Sequence, residues 1–312
     1  MGSLGRKLLG AMAGVALAIG LATGAEAQSV PESDEPIVIG INEWTGQHIS
    51  AHIAGQILER MGYKVEYVTA AVLPMANAIA DGQIHLGMEL WDNNLGEYFP
   101  SKLDDGSVAD VGDLGLDARE GWLYPKHVEE LCPGLPDWDA FLGCSDLFAT
   151  PETLPDGRLV SYPADWSNRS EQIIEGTGIP FVAIPAGSEG ALVAELNSAV
   201  ERQSPLVMMF WAPHWVLFAH DYGWVEMPED VVNEYSLQKP RVFKSAWPGM
   251  EEKWPAAWRF VNTYHLNNQI QEELMGRIDN DGEDLEVVIS EWVDGNQDYW
   301  QPFVDEAMAG GS

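Results

Sequence analysis

The chain has 312 residues, and its 49 acidic side chains outnumber its 16 basic ones, so the formal net charge is −33 at pH 7. Such a charge argues against binding to nucleic acid or to anionic membrane surfaces, because like charges repel. An acidic surface that keeps an exported protein soluble is the simplest reason for most of it. The length is typical of two domains that each bury a core.

The first 27 residues have the pattern of a secretory signal peptide. Arg6 and Lys7 precede an apolar stretch, and Ala25-Glu26-Ala27 then matches the small-residue pattern of a cleavage site. The apolar part is short for an uncleaved anchor, and no later apolar run reaches the roughly 18 residues of a membrane span. We therefore expect residues 1–27 to be removed after Ala27 and the protein to be periplasmic.

The next part of the chain alternates strands and helices. Apolar residues recur at steps of four from Ile49 to Met61, which predicts a helix that Gly62 ends. The strands around this helix and a second, shorter one are predicted at Ile37–Ile41, Val65–Thr69 and Ile84–Met88, and the second helix at Pro74–Ala80. A β-α-β-α-β order implies a parallel sheet with right-handed crossovers.

The middle of the chain repeats this alternation, and the last part is helical. Further strands are predicted at Leu116–Tyr124, Leu159–Tyr162, Phe181–Ile184, Leu206–Phe210 and Pro240–Lys244. Further helices are predicted at Arg169–Gly176, Gly190–Arg202, Met250–Leu266, Asn267–Asp279 and Asp284–Ala309. We predict an α/β fold of two hinged lobes, in which residues 28–119 and 243–312 form lobe 1 and residues 120–242 form an inserted lobe 2.

Four of the predicted strands run into a tryptophan: Trp44, Trp91, Trp166 and Trp211. Ligands of open α/β sheets bind at the carboxyl ends of the strands. One such tryptophan alone would more often fill a core or a rim. Four of them at four strand ends favour an aromatic cage in the cleft between the lobes.

Several segments resemble the periplasmic substrate-binding proteins of ABC importers for glycine betaine and related methylated onium compounds. The resemblance lies in the order and spacing of Ile39–Trp44, Ile57–Val65, Glu89–Trp91, Gly121–Lys126 and Phe210–Trp215. It implies a two-lobed, type II venus-flytrap fold, no enzymatic activity, no cofactor, a permease partner in the inner membrane and a monomeric protein. The family's cage tryptophans fall on Trp91, Trp166 and Trp211, and the strand-end pattern adds Trp44.

An onium group has no N–H donor, so hydrogen bonds cannot select it. Its diffuse positive charge is attracted instead to indole faces, by about 0.5–2 kcal/mol per contact. Glu43, Glu89 and Glu120 lie beside Trp44, Trp91 and Trp122, and a carboxylate inside the cage would favour trimethylamine N-oxide or choline over glycine betaine. The alternative is that each glutamate is exposed or forms a salt bridge across the hinge.

The resemblance also implies a site for a ligand carboxylate. In similar proteins, backbone amides beside the tryptophan of the middle lobe hold this group, which corresponds to Trp166, Ser167 and Asn168 at a predicted helix start. Arg169 follows, either as an assisting group or as a solvated helix residue. In well-known relatives a disulfide brackets that tryptophan, whereas both cysteines precede it here, so we expect this corner to differ.

The two cysteines, Cys132 and Cys144, predict one disulfide in an oxidising compartment, which would stabilise the fold by about 3 kcal/mol. A zinc site is disfavoured because no histidine lies between them. His48 and His52 are spaced as two metal ligands without an evident third. The acidic turn at 279–284 begins like a calcium loop, but Ser290 stands where the bidentate glutamate belongs. No metal site is predicted.

Three functions are compatible with these patterns. The first is binding of trimethylamine N-oxide or glycine betaine for delivery to an ABC importer, with choline, carnitine or dimethylsulfoniopropionate as alternative ligands. The second is an osmolyte sensor or chemoreceptor partner of the same fold. The third, an exported enzyme acting on onium compounds, is disfavoured because the sequence offers no nucleophile or metal set.

Overall fold

The computed structural model describes residues 30–96 and 98–310. The predicted signal peptide therefore lies outside the described residues. Within the two described ranges, no helix combines the length and the apolar character that crossing a membrane requires.

Strands and helices alternate over most of the chain and give way to helices after residue 246. The strands are β1 Ile37–Ile41, β2 Val65–Thr69, β3 Leu86–Trp91, β4 Ala109–Asp113, β5 Arg119–Pro125, β6 Gly157–Ser161, β7 Phe181–Pro185, β8 Met208–Ala212, β9 Tyr222–Trp224 and β10 Val242–Ala246. The α-helices are α1 Thr45–Arg60, α2 Val72–Ala80, α3 Tyr98–Asp104, α4 Val128–Leu131, α5 Trp138–Gly143, α6 Arg169–Thr177, α7 Glu189–Arg202, α8 Glu229–Glu234, α9 Met250–Lys253, α10 Pro255–Thr263, α11 Asn268–Met275, α12 Leu285–Gly295 and α13 Gln297–Ala309.

The first sheet has the strand order β2-β1-β3-β10-β4. The strand β1 pairs in parallel with both β2 and β3, which confirms the predicted β-α-β-α-β unit. The returning strand β10 lies antiparallel between β3 and β4. Ile37 and Ile39 are fully buried in this sheet, as the apolar run of β1 predicts for a strand covered by helices.

The second sheet has the order β7-β6-β8-β5-β9. The strand β6 is parallel to β7 and β8, whereas β5 is antiparallel to β8. This antiparallel register places Glu120 directly opposite Trp211. The two sheets define two lobes, which makes the predicted two-lobed α/β fold correct.

The chain passes between the sheets twice, from β4 to β5 and from β9 to β10. The strand β5 that follows the first passage begins at Arg119, three residues later than the predicted strand Leu116–Tyr124. The returning strand also begins two residues after Pro240, which has no backbone N–H to donate. The division at 119/120 and 242/243 remains a proposal. Arg119 pairs within the second sheet and Val242 within the first, so each strand begins one residue before the predicted boundary.

Several predicted segments end differently in the structure. The third strand extends to Trp91 rather than Met88, because Trp91 pairs with Val242 of the returning strand. The helix predicted to Asp279 ends at Met275 and continues as a π-helical turn. The last predicted helix is divided into α12 and α13 at Asn296.

Cys132 and Cys144 form a disulfide, with their Cα atoms 5.9 Å apart. This confirms the predicted pairing. The bond joins the ends of the short helices α4 and α5 in lobe 2.

Candidate functional site

A small cavity of about 40 Å³ lies between the two sheets. Its wall is mainly aromatic and aliphatic, and both lobes contribute to it. The lining residues are Trp44, Val72, Leu90, Trp91, Asn94, Leu95, Glu120, Tyr162, Trp166 and Trp211. Among the residues that the structure describes, Glu120 is the one charged side chain in this lining.

The four tryptophans reach the cavity from the carboxyl ends of strands. Trp91 ends β3, and Trp44 is the residue before helix α1, where its carbonyl accepts the first backbone hydrogen bond of that helix. Trp211 is the fourth residue of β8. Trp166 lies in the turn after β6, where its backbone N–H donates to Pro163 at 2.9 Å.

The aromatic rings meet edge to face. The ring centroids of Trp44 and Trp166, one from each lobe, are 5.5 Å apart at an interplanar angle of 69°. Trp166 and Trp211 are 5.8 Å apart at 75°, and Tyr162 contacts both of these rings. Such T-shaped contacts are the favoured geometry for aromatic rings. Since the rings of Trp44 and Trp166 touch across the cleft, the structure has the lobes closed.

Glu89 lies behind the lobe 1 side of the cavity and is 1% exposed. Its carboxylate accepts hydrogen bonds from the indole Nε1 of Trp44 at 2.8 Å and of Trp91 at 3.2 Å. Ser50 Oγ and Gln271 Nε2 also donate to it, at 2.7 and 2.6 Å. Burial raises the pKa of the Glu89 carboxyl, and these four donors oppose that shift. The carboxylate therefore fixes two indoles of the wall.

Glu120 faces the cavity from lobe 2 and is held by an ion pair with Arg169, whose Nη1 donates at 2.9 Å. The two side chains are 3% and 6% exposed, so the pair is buried. Tyr162 also donates to Glu120, at 3.0 Å. Burial and the negative charge of Glu120 raise the pKa of Tyr162 well above its usual value, so its hydroxyl remains a donor.

This ion pair also joins the lobes. Asn93 and Asn94, which follow β3 of lobe 1, donate to Glu120 through their amides at 2.6 and 2.9 Å. Arg169 donates in return to the Asn94 side chain at 2.6 Å and to the Asn93 carbonyl. We call these four residues, Glu120, Arg169, Asn93 and Asn94, the paired junction.

A second junction between the lobes has a different charge balance. Glu189 of lobe 2 accepts from the backbone N–H of Thr45 at 2.7 Å and lies 3.0 Å from Nε2 of His214. The Thr45 hydroxyl donates to Asp279 at 2.8 Å. Partial desolvation and the like charge of Glu189 raise the pKa of Asp279 to about 6, although the residue as a whole is exposed. We call Thr45, Glu189, His214 and Asp279 the acidic junction.

Ligand atoms of Glu189, His214 and Asp279 lie within 4.8 Å of one another, a spacing that a metal ion could use. The histidine argues against this use. Its Nδ1 accepts a hydrogen bond from the backbone N–H of Val216 at 3.2 Å, so the ring proton is on Nε2 and points to Glu189. We therefore interpret His214 and Glu189 as a hydrogen-bonded pair and not as metal ligands.

The structure brings together part of the predicted site. Trp44, Trp91, Trp166, Trp211 and Glu120 line the cavity, and Glu89 lies directly behind it. Glu43 is exposed, and neither it nor Ser167 or Asn168 lines this cavity. Ser167 and Asn168 lie in an adjoining cleft, where the Ser167 hydroxyl accepts from the Arg169 backbone at the start of α6.

Sequence reasoning missed Tyr162, Asn93 and Asn94. Tyr162 was placed at the end of a predicted strand, so the strand-end rule applied to the tryptophans could have found it. The sequence predicts Arg169 to be an assisting group or a solvated helix residue, but it is 5% exposed and buried against Glu120.

Comparison with known proteins gives consistent results. The profile of the substrate-binding domain of ABC-type glycine betaine transport systems matches residues 35–295. The trimethylamine N-oxide-binding protein of Pelagibacter ubique (strain HTCC1062) is 34% identical over 206 residues, which cover 64% of this chain and 66% of that protein. The match therefore spans just under two thirds of the relative's own length.

Two solved structures share the fold. An ABC-transporter choline-binding protein in complex with choline has a TM-score of 0.76 and 19% identity, covering 90% of this chain and 98% of its own. Lactococcal OpuAC in its closed, liganded conformation with glycine betaine has a TM-score of 0.71 and 17% identity, covering 88% and 100%. The profile match over residues 35–295 shows that the chain belongs to the family of substrate-binding domains of ABC-type glycine betaine transport systems, which are binding proteins and not enzymes.

Proposed function

We propose that this protein binds trimethylamine N-oxide in the cavity between its lobes and delivers it, as a periplasmic monomer, to the permease of an ABC importer. The observation that carries the proposal is the composition of the cavity wall, in which four indoles and one phenol surround a space whose one charged lining group is the carboxylate of Glu120. The proposed delivery rests on the family to which the chain belongs.

The aromatic wall suits the methylated end of the ligand. A trimethylated nitrogen presents three methyl groups that carry its diffuse positive charge, and it offers no N–H donor. Indole faces attract such a group while also burying its apolar surface. Cages of this kind recognise quaternary ammonium ligands in general.

The charges around the cavity argue against a ligand with its own carboxylate. No lysine, arginine or histidine is among the lining residues of this cavity. Arg169 is committed to Glu120 and the two asparagines. A second carboxylate would therefore lie near Glu120 without a cation to balance it, which disfavours glycine betaine, carnitine and dimethylsulfoniopropionate.

The single oxygen of an N-oxide needs only donors. Among the described residues, the indole Nε1 of Trp166 is a buried donor without a hydrogen-bond partner. The Asn94 amide donates one N–H to Glu120 and has a second. Choline is the second candidate, since its hydroxyl could donate to Glu120.

Isothermal titration calorimetry with trimethylamine N-oxide, choline, glycine betaine, carnitine and dimethylsulfoniopropionate tests the proposal. We expect trimethylamine N-oxide to bind most tightly and the three carboxylates to bind weakly. If glycine betaine binds as tightly as trimethylamine N-oxide, the cavity accommodates a carboxylate and the proposed ligand is wrong. The same titration with a Glu120→Gln variant should raise the relative affinity for glycine betaine.

A further inference from the structure

The carboxylate of Glu89 is buried among neutral groups. Its four hydrogen-bond donors are two indole N–H groups, a hydroxyl and an amide, and within residues 30–96 and 98–310 no arginine, lysine or histidine bonds to it. This differs from Glu120, whose charge is balanced by Arg169. A buried carboxylate without a cation is costly, and such a group is often retained for a function.

We infer that Glu89 is the counter-ion of the bound onium group and acts on it through the indoles of Trp44 and Trp91. The inference rests on the proposed function and adds a residue that selects for charge. Because Glu89 does not line the cavity, the methyl groups of the ligand would contact the ring faces and not the carboxylate. Glu89 is thus a positioning residue with an electrostatic role.

Two physical effects support this role. An N–H group that donates to an anion is polarised, and this shifts electron density toward the ring whose face receives the cation. The negative charge itself lies one indole away from the cavity, in surroundings from which water is excluded, so it is weakly screened. Both effects favour a positive ligand over a neutral one of the same shape. If Glu89 only held the rings in the correct orientation, by contrast, it would favour the charged and the neutral ligand equally.

This difference defines the experiment. Affinities are measured by calorimetry for two matched pairs of ligands in which carbon replaces the charged nitrogen: choline with 3,3-dimethylbutan-1-ol, and trimethylamine N-oxide with tert-butanol. In a Glu89→Gln variant, we expect the affinity for choline to fall about tenfold or more and that for its neutral partner to fall less than about twofold. Trimethylamine N-oxide, whose positive charge is partly offset by its own oxygen, should lose less than choline.

A matched control is Glu66→Gln, which makes the same change of charge at an exposed position of lobe 1 and should leave all affinities unchanged. Equal losses for the charged and neutral ligands, or no loss for either, would overturn the inference. If wild-type protein binds none of the onium compounds, the proposed function fails instead, so the two failures are distinguishable.

A second variant tests the same inference without relying on correct folding of the Glu89→Gln protein. Replacing Trp44 with 3-benzothienylalanine exchanges the indole N–H for sulfur and keeps the size of the ring. It removes the hydrogen bond of 2.8 Å to Glu89. We expect the choline affinity to fall several-fold more than that of its neutral partner, and an equal change in both would contradict a charge effect transmitted through this indole.

Discussion

The two junctions between the lobes differ in how their charge is balanced. In the paired junction, the guanidinium of Arg169 lies 2.9 Å from Glu120, and the asparagines of lobe 1 complete the contacts. In the acidic junction, closure brings Asp279 of lobe 1 close to Glu189 of lobe 2, and the bonds there come from neutral donors. The first junction should therefore favour closure over a wide pH range, whereas the second should oppose it unless a proton is bound.

The largest effect is expected from breaking the paired junction. An Arg169→Met variant leaves Glu120 buried without its cation, which typically costs about 3–5 kcal/mol. Because Glu120 and Arg169 both belong to lobe 2, this cost should appear as a lower free energy of unfolding. Calorimetry should also show a loss of ligand affinity, because the variant removes the hydrogen bonds of Arg169 to Asn93 and Asn94 across the lobes. The matched control is Arg158→Met, since Arg158 pairs with Glu195 at a site where the side chains are 25% and 43% exposed. Such an exposed pair contributes at most about 1 kcal/mol, and similar affinities for both variants would contradict the role of the paired junction.

The next largest effect on ligand affinity is expected from the tryptophans of the cage, one from each lobe. Alanine at Trp91 or at Trp211 should each weaken binding by about 1–3 kcal/mol, because cation–π attraction and buried area are lost together. Phenylalanine at either position should lose less. Trp254, which is fully buried in lobe 1 outside the cavity, serves as the control. Its alanine variant should lower the melting temperature and leave the affinity of the folded protein unchanged, whereas a cage variant with wild-type affinity would refute the cage.

A smaller, pH-dependent effect is expected from the acidic junction. In the closed structure, desolvation and the like charge of Glu189 raise the pKa of Asp279 from its ordinary value of 3.8 to about 6. We expect opening of the lobes to restore the ordinary value, so that closure takes up a proton. The resulting stabilisation of the closed state is complete below about pH 3.8 and is lost as the pH rises through 6. Ligand affinity should thus increase several-fold between pH 7 and pH 5.

An Asp279→Asn variant isolates this effect from other groups that titrate, including Glu89 behind the cavity wall. It should remove part of the pH dependence and bind more tightly than the wild type at pH 7. Identical pH profiles for the two proteins would show that Asp279 does not control closure.

The smallest effect on affinity is expected from the disulfide, which lies in lobe 2 away from both junctions. Replacing Cys132 and Cys144 by alanine should lower the free energy of unfolding by about 3 kcal/mol and leave ligand affinity unchanged. Denaturant unfolding and calorimetry on the same preparation test both parts. A clear loss of affinity would show that the loop between Cys132 and Cys144 supports the cavity.

Much of the fold and part of the site followed from local patterns in the sequence. Apolar runs gave the strands, and the rule that ligands bind at strand ends led to Trp44, Trp91, Trp166 and Trp211. The roles of the charged residues did not follow, because they depend on distant contacts. Glu89 meets Gln271 across 182 positions, and Arg169 meets Glu120 across 49. The local sequence around Arg169 predicts only the start of a helix. That its charge pairs with Glu120 inside the protein becomes evident only from its burial in the folded structure.

The position of β10 between β3 and β4 has a consequence for how the chain folds. Lobe 1 cannot complete its sheet until residues 242–246 arrive, whereas the strands of lobe 2 are contiguous in sequence from Arg119 to Trp224. Closing a long loop is entropically costly, so we expect lobe 2 to fold first and lobe 1 to be rate-limiting. Pulsed hydrogen exchange should then protect β8 before β3. Until that step, the edges of β3 and β4 that β10 later covers are unpaired, and such edges are prone to aggregate.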